Sequence, residues 1–345
     1  MTSKDLRHPA PDANMPSKGD RAGLSRRSFL RTATVAAGTA GFVAHSGAAA
    51  RASELAAGFN PEELAREHAG DPAVLLDLTR CVGCAKCVRA CKLDNELEWR
   101  QDQPSTGPEA TLASSNWTVV RPTRVGIMEE TPLGPRRRET MRYTKVQCMH
   151  CLEPACASAC FVAALQKSEA GPVTYDPSRC IGCRYCMVAC PFGVPAFDWE
   201  STLGRIEKCD LCSERTSDGE PTACAEACPT GAISFGRRGD LLAEAWRRID
   251  QDGSYVRHVY GEHEVGGTSV MYISDVPFEE LGFPTALPDE PLPVYTWRIT
   301  RLIPPVAAGI VASLATLYAR RRRYLLDAED DETRGAEEQP AGVSP

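Results

Sequence analysis

Sixteen cysteines, arranged in four sets of four, constrain this chain more than any other feature of its sequence. All of them lie between Cys81 and Cys228, and the last two cysteines of every set are separated by three residues. Three thiolates at short spacings hold one face of a cubane 4Fe-4S cluster, while the fourth cysteine of the run ligates the other cluster in two-cluster ferredoxins. The sets are Cys81, Cys84, Cys87 and Cys91; Cys148, Cys151, Cys156 and Cys160; Cys180, Cys183, Cys186 and Cys190; and Cys209, Cys212, Cys224 and Cys228.

The repetition of these sets predicts four 4Fe-4S clusters. The first and third sets have the ferredoxin spacing of two, two and three intervening residues, and the second and fourth sets are stretched versions of it. Pro191 follows the third set and Pro229 follows the fourth, as in bacterial ferredoxins. We therefore expect an α+β fold with two fused double-cluster ferredoxin-like units.

Zinc and disulfides explain the spacing less well than iron. A structural zinc site closes with four ligands, usually as two separated pairs of cysteines, and does not use a third cysteine at the same short spacing. Disulfide-dense domains are usually shorter than this chain, and their cysteines are less regularly grouped. A cluster instead needs neighbouring cysteines as thiolates at the same time.

Composition and motifs exclude several classes of function. The chain has 345 residues and a net charge of -7, and no basic face stands out, so we expect no nucleic-acid partner. It contains no P-loop, no Rossmann glycine pattern and no cysteine outside the four sets, which argues against a stand-alone enzyme. A structural or assembly protein that uses clusters as staples is the alternative, because cluster binding couples to folding.

Residues 1–50 are predicted to be a twin-arginine signal peptide. The sequence Ser-Arg-Arg-Ser-Phe-Leu contains the pair Arg26 and Arg27, and a weakly apolar stretch and three alanines follow it. This export route carries folded proteins, which suits clusters that are assembled in a reducing cytoplasm. We therefore expect the chain to reach the periplasmic side of the cytoplasmic membrane.

Residues 72–236 are predicted to form the four-cluster domain. An insertion at residues 92–141 is rich in Pro, Ser, Thr and charged residues and contains a strand at residues 117–120. A short strand at residues 232–235 is expected to close a ferredoxin-like unit.

Residues 237–293 are predicted to be a C-terminal extension and linker. Apolar residues at helical spacing predict a helix at residues 241–249, and alternation predicts a strand at residues 268–274. Prolines mark residues 277–293 as the linker.

An uncharged stretch at residues 302–319 is predicted to be a transmembrane helix. Its length as a helix is about 27 Å, against a hydrocarbon core of about 30 Å. Four arginines follow it at once, so the positive-inside rule places residues 320–345 in the cytoplasm and the cluster domain outside. The acidic composition of this tail predicts disorder.

Several residues beside the cysteines are candidates for tuning or electron exit. His150 stands between Cys148 and Cys151, and we expect it near a cluster without ligating it, because its set already contains four cysteines. Arg184, Tyr185 and Lys208 are candidate electron-exit contacts, although most charges beside a cluster are solvated.

The order of signal, cysteine sets and C-terminal span resembles a known family. The chain is similar to the periplasmic iron-sulfur subunits of quinone-linked oxidoreductases, and among them to the HybA family of hydrogenase-2 type. Iron-sulfur subunits of formate dehydrogenase share the cysteine sets and the anchor, whereas the Gly-Gly-Thr and Val-Pro-Phe-Glu segments favour the hydrogenase type. Phe161 departs from the pattern, since a proline usually follows Cys160. The segments that carry the resemblance are Gln147-Cys148-Met149-His150-Cys151, residues 180–191, Gly266-Gly267-Thr268 and Val276-Pro277-Phe278-Glu279.

This resemblance implies a non-catalytic electron relay. The large subunit of a nickel-iron hydrogenase would split hydrogen, its small subunit would pass electrons to this chain, and an integral membrane subunit would reduce quinone. A molybdopterin subunit would replace the hydrogenase in the formate dehydrogenase alternative.

The resemblance also implies crossed ligand sets, each with three cysteines of one run and the last cysteine of another. They are Cys81, Cys84, Cys87 and Cys228 for cluster 1; Cys148, Cys151, Cys156 and Cys190 for cluster 2; Cys180, Cys183, Cys186 and Cys160 for cluster 3; and Cys209, Cys212, Cys224 and Cys91 for cluster 4.

Overall fold

Short helices and strands alternate along the cysteine-rich region, and a long helix follows it. The computed structural model describes residues 58–132, 134–201 and 204–337, which belong to one compact unit. The predicted signal at residues 1–50, with Arg26 and Arg27, lies outside the described residues. The elements are α1 (Pro61–Glu67), β1 (Pro72–Asp77), α2 (Lys86–Asp94), β2 (Val119–Thr131), β3 (Gly134–Val146), α3 (Ala155–Ser158), β4 (Leu165–Lys167), β5 (Val173–Tyr175), α4 (Tyr185–Ala189), β6 (Ala196–Phe197), β7 (Ile206–Glu207), α5 (Ser213–Ser217), α6 (Ala223–Glu226), β8 (Ile233–Arg237), α7 (Arg238–Gln251), β9 (Val270–Ile273), α8 (Leu292–Thr300) and α9 (Ile303–Glu337).

A three-stranded sheet joins the two ends of the cysteine-rich region. Its central strand β1 is antiparallel to β8 and parallel to β9. Side chains alternate between the faces of a strand, so Leu75 and Met271 pack with helix α7, whereas Val74 and Leu76 share a core cluster with the Cys87 thiol. Both faces are therefore buried, and one of them supports the first cysteine set.

Three elements predicted at the C-terminal side of the cysteines are confirmed. The predicted strand at residues 232–235 overlaps β8, the predicted helix at residues 241–249 lies within α7, and the predicted strand at residues 268–274 contains β9. Their apolar residues identify these segments, because helix α7 buries one face against the sheet and strand β9 is buried on both faces.

Residues 237–293 are part of the central core, which differs from the expected extension and linker. Strand β9 pairs with β1, and Phe278 beyond it is 2% exposed. The Phe283 ring packs edge to face against the Tyr260 and Tyr272 rings, with centroid distances of 4.8 and 4.9 Å. The prolines in this segment interrupt regular structure, but the apolar side chains between them still pack.

The insertion contains a long hairpin in place of the single short strand expected at residues 117–120. Strands β2 and β3 are antiparallel, with Val120 opposite Lys145 and Val125 opposite Thr140. Near the tip, Met128 is 67% exposed. The outer part of strand β3 lacks the alternation of a half-buried strand, because residues 136–139 are all exposed.

The C-terminal helix is longer than the predicted span. Helix α9 includes most of residues 302–319 and continues to Glu337, so the first part of the tail predicted to be disordered is helical. Residues 320–337 contain no proline and are rich in Arg, Leu, Ala and Glu, which favour helix. Among the described residues, one helical stretch is long and apolar enough to cross a membrane, and its most apolar window is not buried by the rest of the protein.

Candidate metal centres

One cavity is lined by three cysteines of the first set and one of the last. The loop before α2 supplies Cys81 and Cys84, the first turn of α2 supplies Cys87, and the loop after α6 supplies Cys228. These distant parts of the chain meet because β1 precedes the first set, β8 follows the last, and the two strands pair. Burial raises the pKa of the Cys81 thiol, and the nearby Cys228 and Cys84 thiols raise it further.

A second cavity combines Cys91 with the first three cysteines of the last set, Cys209, Cys212 and Cys224. Cys91 lies on α2 one helical turn after Cys87, so this helix contributes a thiol to each of two adjacent cavities. Burial raises the pKa of the Cys91 thiol to about 12, as expected for a thiol in apolar surroundings.

A third group of thiols unites the second and third cysteine sets. Burial raises the pKa of Cys151 well above its ordinary value, and the thiols of Cys156, Cys190 and Cys148 add to this effect. Cys156 lies on the short helix α3, whereas Cys190 directly follows helix α4. Helices α3 and α4 pack against each other, which brings the two sets together.

A fourth group contains Cys186 and the thiols of Cys160, Cys183 and Cys180. Burial raises the pKa of Cys186 to about 11, and these three thiols raise it as well. Each of the four groups therefore contains three cysteines of one run and the last cysteine of another.

The four groups follow one another through the protein. Cys87 and Cys91 link the first cavity to the second along α2. The buried Cys209 of the second cavity packs with Cys148 of the third group. Cys156 of the third group shares a small core with Cys186 of the fourth.

The donor set and its spacing fit 4Fe-4S clusters. All sixteen cysteines are free thiols. Among the described residues, no three Cys, His, Asp or Glu side chains are arranged to hold a single metal ion. Four thiols around a cavity with largely apolar walls suit a larger group with soft iron at its corners.

The backbone around the cysteines adopts left-handed conformations that repeat between sets. Gly83 and Gly182 both have φ of +70°, and Ala85 and Arg184, two residues further on, have φ of +55° and +62°. Such turns point backbone N–H groups toward the ligands: the Gly182 N–H donates to Cys180 Sγ at 3.4 Å. Backbone N–H groups at the sulfurs are one of the means by which a protein tunes a cluster.

Lys208 is buried, which contradicts the expectation of a solvated charge or an electron-exit contact. It is 4% exposed, and its Nζ donates to the carbonyl oxygens of Val173 and Cys209. Its positive charge acts on the Cys156 thiol and counteracts the effect of burial on the pKa of that thiol.

Lys145 is a second buried cation, and the sequence analysis did not identify it. It is 2% exposed on strand β3 and lines both of the first two cavities. Burial lowers the pKa of its ammonium group, but the negative charge of Cys224, Cys87 and Cys209 as thiolates outweighs this and raises the pKa above its ordinary value. No sequence signal marks it, because a lysine before a cysteine set looks like any surface charge.

His150 is completely buried beside the third group of thiols. Its Nδ1 accepts a hydrogen bond from the Val173 N–H at 3.0 Å, so one of the two ring nitrogens that could bind iron is already occupied. Burial lowers the pKa of His150 well below its ordinary value, and the nearby Lys208 cation lowers it further, so the ring is neutral.

Arg184 and Tyr185 lie at the surface beside the fourth group. The Arg184 guanidinium stacks on the rings of Trp199 and Phe197, 4.9 and 5.5 Å from their centroids. The Tyr185 side chain is 61% exposed. Both side chains are therefore accessible to a partner.

The fold and the grouped thiols define an iron-sulfur protein of the two-cluster ferredoxin type, and comparison with known proteins confirms this class. The family described as "4Fe-4S dicluster domain" matches residues 139–238, which contain the last three cysteine sets. The predicted cofactor and the predicted α+β ferredoxin-like fold are thus confirmed.

The chain belongs to the HybA-like family of iron-sulfur subunits, which is related to the iron-sulfur subunits of formate dehydrogenases. It is 37% identical to the hydrogenase-2 operon protein HybA of Escherichia coli O157:H7 over 62% of this chain and 73% of the relative. It is 34% identical to the nitrate-inducible formate dehydrogenase iron-sulfur subunit of Escherichia coli K12 over 74% of this chain and 86% of the relative. A protein of Nitratidesulfovibrio vulgaris is 39% identical over 89% of this chain and 80% of its own length. The family resemblance predicted from the motifs is confirmed.

Proposed function

We propose that this chain is a non-catalytic electron-transfer subunit that relays electrons through four 4Fe-4S clusters, between a catalytic enzyme and an integral membrane partner that reduces quinone. The observation that carries the proposal is the connected series of the four thiol groups, in which neighbouring groups share a helix or a small core. The names of the relatives, a hydrogenase-2 operon protein and a formate dehydrogenase subunit, support a place in such a complex.

The ligand sets are those that the family resemblance implies. The two cavities support cluster 1 on Cys81, Cys84, Cys87 and Cys228, and cluster 4 on Cys91, Cys209, Cys212 and Cys224. The interactions among thiols in the other half support cluster 2 on Cys148, Cys151, Cys156 and Cys190, and cluster 3 on Cys160, Cys180, Cys183 and Cys186.

The residues of this chain hold the clusters, exclude water from them and set their surroundings. When bound, each 4Fe-4S cluster accepts and releases an electron at a potential that depends on its net charge, hydrogen bonds and exposure. Buried apolar side chains such as Val88 and Leu211 enclose the thiols, and backbone N–H groups point at the sulfurs. The buried Lys145 and Lys208 supply positive charge, which favours the reduced form.

The electron path runs in the order cluster 1, cluster 4, cluster 2, cluster 3, or in reverse. Helix α2 bears ligands of clusters 1 and 4, one helical turn apart. Cys209 and Cys148 belong to one small core, which joins cluster 4 to cluster 2, and Cys156 and Cys186 belong to another, which joins cluster 2 to cluster 3. This order differs from the order of the sets in the sequence because of the crossed ligands.

Clusters 2 and 3 form the membrane end of the relay. Helix α8 packs against α3, which bears Cys156, and leads directly into α9 with the apolar span. The arginines at residues 320–323 favour a cytoplasmic tail and, with the twin-arginine segment, a periplasmic cluster domain. An integral membrane partner would find exposed apolar side chains around cluster 3, namely Phe161, Ile181, Tyr185, Val188 and Trp199.

A nickel-iron hydrogenase, acting through its small subunit, is the proposed electron donor at the cluster 1 end. The Gly266-Gly267-Thr268 and Val276-Pro277-Phe278-Glu279 segments favour this type. The second candidate is a formate dehydrogenase or another molybdopterin enzyme, which is supported by the 34% identity to a formate dehydrogenase iron-sulfur subunit.

The test uses membranes that contain the complete native complex under anaerobic conditions. Electron paramagnetic resonance (EPR) should detect four reduced 4Fe-4S signals after hydrogen is added, and a quinone analogue should then remove them. Reduction by formate but not by hydrogen would favour the second candidate. Clusters that respond to neither donor and are not reoxidised by quinone would refute electron transfer and favour the structural role.

A further inference from the structure

Lys145 lies between the proposed sites of cluster 1 and cluster 4. It lines the cavity that contains Cys81 and Cys87, and also the cavity that contains Cys91 and Cys209. The side chain is 2% exposed, so water does not screen its charge. It is therefore positioned to act on both sites at once.

The position of Lys145 is fixed by the backbone on each side of the cavities. Its strand β3 pairs with β2, where Val120 stands opposite it. The Tyr272 hydroxyl on strand β9 donates a hydrogen bond to the Lys145 carbonyl oxygen at 2.8 Å. The central sheet and the hairpin thus hold the base of the lysine side chain.

The Lys145 ammonium is attracted electrostatically by cysteines of both groups in their thiolate form. They are Cys87 in the first cavity and Cys209 and Cys224 in the second. Conversely, the positive charge of Lys145 works against the rise in the pKa of the Cys81 thiol in the first cavity and of the Cys91 thiol in the second. A buried cation is costly unless negative charge lies near it, and two clusters with thiolate ligands supply that charge.

We propose that Lys145 is a shared counter-charge for clusters 1 and 4, which raises the reduction potentials of both. The inference rests on the proposed function, because it assumes the ligand sets given above. Its physical basis is that reduction adds negative charge, so one nearby cation stabilises the reduced form of both clusters. Lys145 therefore acts as a positioning charge and not as a ligand.

The test compares Lys145→Met with Lys145→Arg in the full chain within its complex, by EPR-monitored redox titration. In Lys145→Met the equilibrium constant for reduction should fall about tenfold for clusters 1 and 4, which is about 59 mV for a one-electron couple. Lys145→Arg keeps the charge, so the reduction potentials of both clusters should stay close to those of the unchanged chain. Clusters 2 and 3 should keep their potentials in both variants.

Lys208→Met is the control and is read at clusters 1 and 2, because Lys208 is also buried and acts on Cys156, while its hydrogen bond to the Cys209 carbonyl also reaches the cluster 4 site. It should shift cluster 2 and leave cluster 1 unchanged. Signals are assigned beforehand with Cys81→Ser and Cys209→Ser, so a failure of the ligand sets is seen before any lysine variant is compared.

Iron content and the individual signals decide the outcome even if Lys145→Met binds iron poorly. Loss or shift of the cluster 1 and cluster 4 signals together supports the shared charge. Four outcomes would each overturn the proposal. They are unchanged signals for clusters 1 and 4, a change in only one of these two signals, loss of all four signals, and equal shifts in Lys145→Met and Lys145→Arg.

Discussion

At the scale of single residues, the separation within each run decides which group of thiols a cysteine joins. Cys87 and Cys91 are one turn apart on α2, and this distance places one thiol in each of two adjacent cavities. The same C-x3-C step ends every run, so each run supplies thiols to two groups, with its third cysteine on a short helix and its last cysteine on or just after that helix. This step along the chain places the last cysteine of each run in a second group of thiols and links neighbouring groups through shared elements.

Crossed ligation makes a prediction about the second half of the array. If Cys190 closes the cluster of Cys148, then Cys190→Ser and Cys148→Ser should perturb the same EPR signal, because a lost thiolate acts first on its own cluster. Cys183→Ser should perturb a different signal. A shared signal for Cys190→Ser and Cys183→Ser, which are neighbours in sequence, would contradict the crossed arrangement.

A second prediction at this scale concerns Gly261, whose φ is +99°. A Cβ there would lie 2.5 Å from Thr268 Oγ1 and 2.7 Å from the Val270 carbonyl oxygen. Gly261→Ala should therefore cost about 3 kcal/mol or more of stability, since strain and a backbone clash add. The control is Gly282→Ala: its φ is +80° but the space around it is open, so about 1 kcal/mol is expected. Anaerobic thermal unfolding measures both, and equal losses would refute the role of the clash.

At the scale of helices and strands, the sequence predicts what a local pattern encodes and misses what distant contacts decide. The cysteine runs and the elements α7, β8 and β9 have local signatures, and their predictions are confirmed. The outer part of strand β3 has no such signature, because residues 136–139 are all exposed. Lys145 and Lys208 are buried only because chain segments far apart in sequence enclose them, so composition could not distinguish them from surface charges.

Strand β9 provides a prediction about the role of residues 237–293. Met271 is 0% exposed between the sheet and α7, and Met271→Ala should lower the free energy of unfolding by about 2–5 kcal/mol through lost burial and a cavity. Met128→Ala in the exposed hairpin is the matched control, and a change within about 0.5 kcal/mol is expected. Anaerobic urea unfolding with iron release as a second probe measures both. A small effect of Met271→Ala would favour a separate extension after all.

At the scale of the whole molecule, the central sheet lies at the proposed start of the relay, and the C-terminal helices lie at its proposed end. Pairing of β1 with β8 closes the cluster 1 cavity, and β9 adds the C-terminal segment to the same sheet. Helix α8 then lies against the other half of the array and leads into the apolar helix α9. The proposed relay therefore runs from the sheet toward the membrane.

Export provides a prediction for the complete chain. Replacing Arg26 and Arg27 by lysine should leave a precursor with bound clusters in the cytoplasm, because the arginine pair is the proposed signal and cluster assembly precedes export. Arg21→Lys, a nearby change outside the pair, should be exported normally. Cell fractionation with immunoblotting measures the distribution. Normal arrival of the double variant in the periplasmic fraction would contradict the targeting proposal.

The last prediction concerns the anchor. A chain that ends at Arg301 lacks the proposed span but retains every cysteine and the whole sheet, so it should keep its clusters and leave the membrane fraction when its partners are absent. A chain that ends at Leu326 retains the apolar stretch and the four arginines, and it should stay in the membrane after a carbonate wash. The difference follows from length, because about 20 apolar residues are needed to cross a bilayer as a helix. If the shorter chain also resists the wash, another part of the protein binds the membrane and the proposed span is not the anchor.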